Sequence, residues 1–236
     1  MSEGSIARRT QAGFLGRVPY AEAVEIQERL RERLRAGEGE ETLLLLEHPP
    51  VYTLGRNADS RDVLLDRTTL AARGIEVHET RRGGKVTYHG PGQLVGYPVL
   101  DLSPDRRDVR RYVGDLQRLL IEVLAEFEVE AVARSQPETG VWVGDRKIAS
   151  FGVHLSRWLT MHGFALNVST DLAYFRDIVP CGLQGVEMCS IESLRGSAPE
   201  LPRVAEACVR AFRCVFGRRV EPLPADVRAG VEAGVA

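Results

Sequence analysis

From residue 81 to residue 93 the chain reads Arg-Arg-Gly-Gly-Lys-Val-Thr-Tyr-His-Gly-Pro-Gly-Gln, and five glycines fall between positions 83 and 96. Glycine in a helix interior costs about 1 kcal/mol against alanine, and proline costs more. Such a run is a place of sharp turns or close backbone approach. It is flanked by a strand signal at Ile75 and Val77 and by an apolar segment over 94–102. The chain therefore has to carry a glycine loop between strands near its middle. The loop lacks the G-x-x-x-x-G-K-[ST] spacing of a phosphate loop, and no G-x-S-x-G elbow occurs in the chain.

The flanking pattern supplies the rest of the fold class. A helix follows Pro19, with Ala23, Ile26, Leu30 and Leu34 at steps of three and four, and Gly37 and Gly39 end it. Residues 42–47 read as a buried strand closed by Pro49-Pro50, and 51–54 as a second strand stopped at Gly55. The best helical pattern follows Asp108, a suitable N-cap, with Val109, Tyr112, Val113, Leu116, Leu120, Val123 and Phe127 on one stripe. Val141-Trp-Val and 148–155 read as strands joined by a Gly144-Asp145 turn. A last helix from Pro202 carries apolar residues at 204, 207, 208, 211, 212, 215 and 216 and ends at Gly217. These elements make one α+β domain with a strand-rich centre and peripheral helices. Residues 1–12 are polar and are expected to be loose.

At 236 residues the chain can fill one core. Its 31 basic and 33 acidic residues leave a net charge of −2, which argues against a nucleic-acid partner. The longest aliphatic run, 43–46, is far short of the roughly 20 residues of a membrane span, so no membrane partner is expected. No apolar segment stands behind the first charges as in a secretory signal. Cysteines at 181, 189, 208 and 214 form no C-x-x-C pair, and His48, His78, His89, His154 and His162 fall in no zinc spacing. Reduced thiols in a cytoplasmic protein, without metal or cofactor, are the expectation.

Cys208 and Cys214 sit on or near the last helix's stripe, and Cys189 lies in an apolar–polar alternation; all three read as packing residues. Cys181 lies in Val179-Pro-Cys-Gly182, between a φ-locked proline and a permissive glycine. It reads either as a nucleophile presented on a turn or as an ordinary loop cysteine. A free thiol of pKa near 8.5 is only about 3% thiolate at pH 7, so a nucleophile needs a nearby cation. Among the 31 basic residues only Lys85 and Lys147 are lysines. Lysine, unlike arginine, can give up its proton in a partly desolvated site. Among the histidines, His89 is the best placed for a site and His48, before the double proline, reads as structural. The basic run Arg106-Arg107-Asp-Val-Arg110-Arg111 reads first as a solvated helix end and second as a docking patch for an acidic carrier.

The segment Arg82-Gly-Gly-Lys-Val-Thr-Tyr-His-Gly-Pro-Gly-Gln93 closely resembles the signature of the bacterial octanoyltransferases of lipoate biosynthesis. Lys147-Ile-Ala-Ser-Phe-Gly-Val153, His162-Gly-Phe-Ala-Leu-Asn167 and Val179-Pro-Cys-Gly182 agree in the same order, as do Leu45-Leu-Glu-His-Pro and Tyr52-Thr-Leu-Gly-Arg56. The resemblance covers about residues 14–217. It implies an α+β single domain with a mixed sheet flanked by helices, like the catalytic domain of biotin and lipoate protein ligases. Residues 13–220 would form the catalytic domain and 221–236 a tail. It implies Cys181 as nucleophile with Lys147 beside it, and acyl contacts on Arg82, Gly83, Gly84, Lys85, Val86, Thr87, Tyr88 and His89, on Ser150, Phe151 and Gly152, and on Gly163, Phe164 and Ala165. Phe151 stands where the family more commonly has Ile or Leu, so a narrower acyl tunnel is expected. The implied donor is octanoyl-acyl carrier protein. The implied acceptors are apo lipoyl domains of 2-oxoacid dehydrogenase complexes and the glycine cleavage H protein. Three rival readings are an ATP-dependent lipoate–protein ligase, an amidotransferase between lipoyl domains, and a non-catalytic acyl-binding module in which Cys181 is inert.

Overall fold

The computed structural model describes residues 8–179, 186–225 and 227. In chain order these form β1 (Arg9–Arg17), α1 (Tyr20–Ala36), β2 (Glu41–Glu47), β3 (Val51–Leu54), α2 (Arg67–Ala72), β4 (Glu76–Glu79), β5 (Val86–His89) and β6 (Gln93–Val99). There follow α3 (Val109–Glu126), β7 (Val132–Arg134), β8 (Gly140–Val143), β9 (Arg146–Ser156), β10 (Leu159–Asn167), β11 (Glu187–Met188), α4 (Ile191–Arg195), α5 (Leu201–Phe216) and β12 (Arg219–Pro222).

The four leucines 43–46 explain the layering. In a strand, successive side chains face opposite sides of the sheet, so an unbroken apolar run means that both sides are covered. Leu43 and Leu45 pack with α3 and α5, whereas Leu44 and Leu46 pack with Ala23, Ile26 and Leu30 of α1. All four leucines are fully buried. The main sheet runs β12-β1-β2-β6-β10-β9-β8-β7, with β11 added beside β9. It is mixed, because β1 pairs parallel with both β12 and β2 while β2, β6, β10, β9, β8 and β7 pair antiparallel in turn. A smaller sheet, β4-β3-β5, carries its own core around Tyr52, Tyr88, Ile75 and Phe175.

Local signals hold where they were strongest. The Asp108 carboxylate accepts from the N–H groups of Arg110 and Arg111 at the start of α3. Gly37 and Gly217 close α1 and α5 in the left-handed conformation. Three expectations are corrected. Residues 9–12, expected to be loose, begin β1, because β2 and β12 pair with them on either side. Strand β12 runs across the expected boundary at residue 220, to Pro222. Val109 is 42% exposed and falls off the buried stripe of α3, which runs instead through Tyr112, Leu116, Leu119, Leu120 and Val123. Cys214, expected to pack, is exposed, because α5 buries the faces of Ala211, Phe212 and Val215 around it. No helix among the described residues is long and apolar enough to cross a membrane.

Candidate active site

Strand register brings together three of the expected pieces. Across β9 and β10, Gly152 lies opposite Gly163, Phe151 opposite Phe164 and Ser150 opposite Ala165. The glycine loop leans on this pair, with Gly83 N–H donating to the Val153 carbonyl at 2.9 Å. A Cβ on Gly152 would come within 2.8 Å of Arg82 Cδ and 3.2 Å of the Gly83 carbonyl, so the approach depends on the missing side chain. Arg82 is buried and donates to both the hydroxyl and the carbonyl of Thr53 on β3, and to the Gly83 carbonyl at 3.0 Å. It ties the smaller sheet to the glycine loop.

The result is a cleft of about 490 Å³, open solvent at its mouth included. Arg82, Gly84, Lys85, Val86, Thr87, His89, Ser150, Phe151, Gly152, Gly163, Phe164 and Ala165 line it. Two of the expected contacts do not. Tyr88 stacks on Tyr174 and meets Phe175 edge-on in the smaller core, because strand alternation turns it away from the side that Thr87 and His89 present. Gly83 lines the neighbouring cleft instead. Conversely, Tyr20, Tyr97 and His162 line the cleft without being among the expected contacts. Tyr20 and Tyr97 carry no local signal, since each looks like an ordinary apolar position of its helix or strand. His162 stood inside a quoted motif, and its backbone φ of +57° is uncommon for a non-glycine residue.

The wall histidines are neutral at pH 7. Burial pulls His48 down to about 4 and His162 down to about 3, and holds His89 well below its ordinary value. His48 Nδ1–H donates to the Val18 carbonyl at 2.6 Å, which leaves Nε2 to accept from the Tyr97 hydroxyl at 2.8 Å. His48 is thus a structural residue that holds a cleft tyrosine. His89 Nδ1 lies 2.7 Å from Gln93 Oε1, and its ring stands parallel to that of Tyr20. Apart from Arg82 and Lys85, the site's interior offers aromatic, glycine and neutral polar surface, suited to an uncharged chain.

Lys147 projects from β9 into a second, open cleft, of about 1330 Å³ with open solvent included, together with Gln136, Thr139 and Val113. The two clefts share Gly84, Lys85, Phe151 and Gly152 as common walls. Lys147 is 3% exposed, and its ammonium lies 5.6 Å from the centroid of the Trp142 ring. Phe151, the residue expected to narrow the acyl tunnel, stands at the junction. Cys181 lies outside the described residues. Those on either side of it are held: Val179 N–H donates to the Asp62 carbonyl at 2.8 Å, and Met188 of β11 pairs with Lys147 itself. Cys189 and Cys208 are fully buried, and burial pushes both thiols up, Cys189 to about 11. They pack, as expected. The basic run at α3 also divides. Arg106 is buried against Asp115 and the Phe216 ring, and Arg107 lies over Trp158, leaving Arg110 and Arg111 exposed.

The family model for the lipoyl protein ligase A/B catalytic domain matches residues 19–213. An octanoyltransferase of Solibacter usitatus is 51% identical over 208 residues, spanning 88% of this chain and 93% of that protein. One of Gloeobacter violaceus is 48% identical over 220 residues, spanning 93% and 96%. The chain belongs to the octanoyltransferase family. Its fold is shared more widely. A lipoate-protein ligase A bound with ATP superposes with a TM-score of 0.72 at 14% identity, covering 97% of this chain and 94% of that one. A biotin protein ligase from Aquifex aeolicus, in complex with biotin and ATP, gives 0.55 at 14% identity, covering 88% and 70%. At that identity the likeness concerns the fold alone, and it agrees with the expected mixed sheet flanked by helices.

Proposed function

We propose that this octanoyltransferase moves an octanoyl group from acyl carrier protein to a lysine ε-amine of an apo lipoyl domain, by way of a thioester on Cys181. The observation that carries the reading is the pairing of a mainly apolar, glycine-walled cleft with a neighbouring cleft that holds Lys147, in a chain half identical to octanoyltransferases. The Cys181 thiolate attacks the thioester carbonyl, the carrier thiol leaves and takes a proton, and octanoyl-Cys181 remains. The acceptor amine then attacks, the C–S bond breaks, and an amide forms as the amine gives up a proton. Lys147 stabilises the thiolate first and assists that proton transfer second. One thioester is exchanged for another and then for a more stable amide, so no nucleotide, metal or cofactor takes part. The acceptors are lipoyl domains of 2-oxoacid dehydrogenase complexes and the glycine cleavage H protein, and the setting is the cytoplasm.

The shared fold makes the ATP-dependent ligase the nearest rival. The purified chain, mixed with octanoyl-acyl carrier protein and apo lipoyl domain without ATP, is expected to octanoylate the domain, as read by intact mass. Modification that requires ATP and free octanoate would assign the ligase reaction instead.

A further inference from the structure

The start of α3 carries positive charge that the protein itself does not neutralise. Arg107, Arg110 and Arg111 are exposed, and none forms an ion pair with a carboxylate among the described residues; Arg107 lies over the Trp158 ring instead. Further along, the helix surfaces are neutralised, with Arg118 on Glu122 and Arg210 on Glu126. The one acid within the run, Asp108, turns its carboxylate to the N–H groups of Arg110 and Arg111. Val109, set among these arginines, is one of only four large apolar side chains that stand exposed among the described residues. An apolar centre with an arginine rim has the make-up of a protein interface.

This surface borders the Lys147 cleft. Residues three or seven apart share a helix face, so Arg110 stands over Val113, which lines that cleft, and over Gln117. The Gln117 amide donates to the Gly140 carbonyl at 3.0 Å, and the Lys147 side chain passes against Gly140. Seven residues of helix put Arg110 about 10 Å along the axis from the turn that touches Gly140. The cleft between is open, and two lysines, Lys85 and Lys147, line it without any aspartate or glutamate.

We infer that the start of α3, with Val109 at its centre and Arg107, Arg110 and Arg111 around it, is the surface on which an acidic acyl carrier protein docks to deliver its thioester. The inference rests on the octanoyl-transfer reading, which makes a carrier protein the donor. A carrier holds its acyl group at the end of a slim pantetheine arm joined to the protein through a phosphodiester. Its body therefore has to be held back from the reacting carbonyl, with an open passage in between. From α3 to Lys147 the acidic body and the anionic phosphodiester both meet positive charge and no carboxylate wall. An acceptor lysine has only four methylenes, so its domain has to sit at the mouth beside Lys147 itself. Charges at such a rim act on encounter more than on tightness, so the effect belongs in kcat/KM and in its salt dependence.

The test compares octanoyl-acyl carrier protein with octanoyl-pantetheine as donors, in the wild type and in the double variant Arg110→Glu, Arg111→Glu. Arg29→Glu, an exposed site on α1 across the sheet, is the charge control. Glutamate in the first turn of a helix complements its dipole, so the double variant keeps the fold. Its kcat/KM for the carrier-linked donor is expected to fall by about tenfold or more, the scale of a steering charge reversed. Turnover of the pantetheine thioester is expected to stay unchanged, and Arg29→Glu to alter neither donor. Added salt should slow the wild type on the carrier-linked donor and affect the double variant much less. Equal loss on both donors, no loss on either, or a loss confined to KM for the apo lipoyl domain overturns the inference while octanoyl transfer itself stands. Absence of transfer from octanoyl-acyl carrier protein in the wild type overturns the underlying reading, and the inference with it.

Discussion

The Lys147 side chain passes against the backbone of Gly140. A Cβ at residue 140 would lie 2.5 Å from Lys147 Cε, closer than real contacts allow, and 2.9 Å from Trp142 Nε1. The bare backbone there gives the lysine stem its track beside the Trp142 ring. Gly140→Ala should displace the ammonium and lower kcat for octanoyl transfer by about tenfold or more, the scale of misplacing one catalytic group, while leaving the acyl cleft intact. Steady-state kinetics with octanoyl-acyl carrier protein check this, and unchanged kcat would detach Lys147 from the chemistry. At this scale the cleft lining was most legible where its residues are neighbours in the chain, as in 84–87 and 150–152. Tyr20, from the first turn of α1, and Tyr97, from β6, reach the same cleft only through tertiary packing, so no local pattern announces them. Tyr88 packs in the smaller core for a related reason. Membership of a motif does not say which side of a strand a residue faces.

Elements with two independent local signals were legible, and those held by remote pairing were not. The helix α3 had both a capping aspartate and an apolar stripe, and both are realised. Asp108→Ala should cost about 1 kcal/mol, since two N–H groups lose their acceptor, and should lower the thermal midpoint by a few degrees. A midpoint unchanged in differential scanning calorimetry would mean that the α3 terminus contributes nothing to stability. The opposite case is β1, whose sequence Arg-Thr-Gln-Ala-Gly-Phe-Leu-Gly-Arg shows no clean alternation and is ordered by partners at residues 41–47 and 219–222. The five-residue helix α4 is likewise too short for a periodic signal; its capping box, Ser190 with Ser193, is visible only once the backbone is placed.

At the scale of the whole molecule, the first and last described strands pair parallel, and a buried ion pair locks that seam. Arg218 donates to Glu41 at 2.7 Å with both side chains nearly inaccessible, and Asp105 and Arg8 extend the network. Stability should also depend on pH through the buried histidines. His48 and His162 have ordinary values of 6.5 and folded values of about 4 and about 3, because burial disfavours the charged ring. Below pH 6.5 the unfolded chain takes up protons that the folded chain refuses. Stability is therefore full above about pH 7 and falls as the pH drops from 6.5 toward 4. Each of the two should cost about 1 kcal/mol by pH 5.5, and His89 acts in the same direction. Glu41, whose carboxyl burial pushes up, works the other way but is one group against three. Urea midpoints at pH 7.5 and 5.5 should show a clear drop at the lower pH; an equal or higher midpoint at pH 5.5 would contradict the buried neutral state of these rings.

The account as a whole turns on where the acyl group rests between donor and acceptor. Incubation with octanoyl-acyl carrier protein in the absence of acceptor, followed by peptide mapping, should find octanoyl on the peptide containing Cys181, removable by hydroxylamine and absent from Cys181→Ala, which should also lose turnover. An octanoyl group on another residue, or normal turnover by Cys181→Ala, would contradict it.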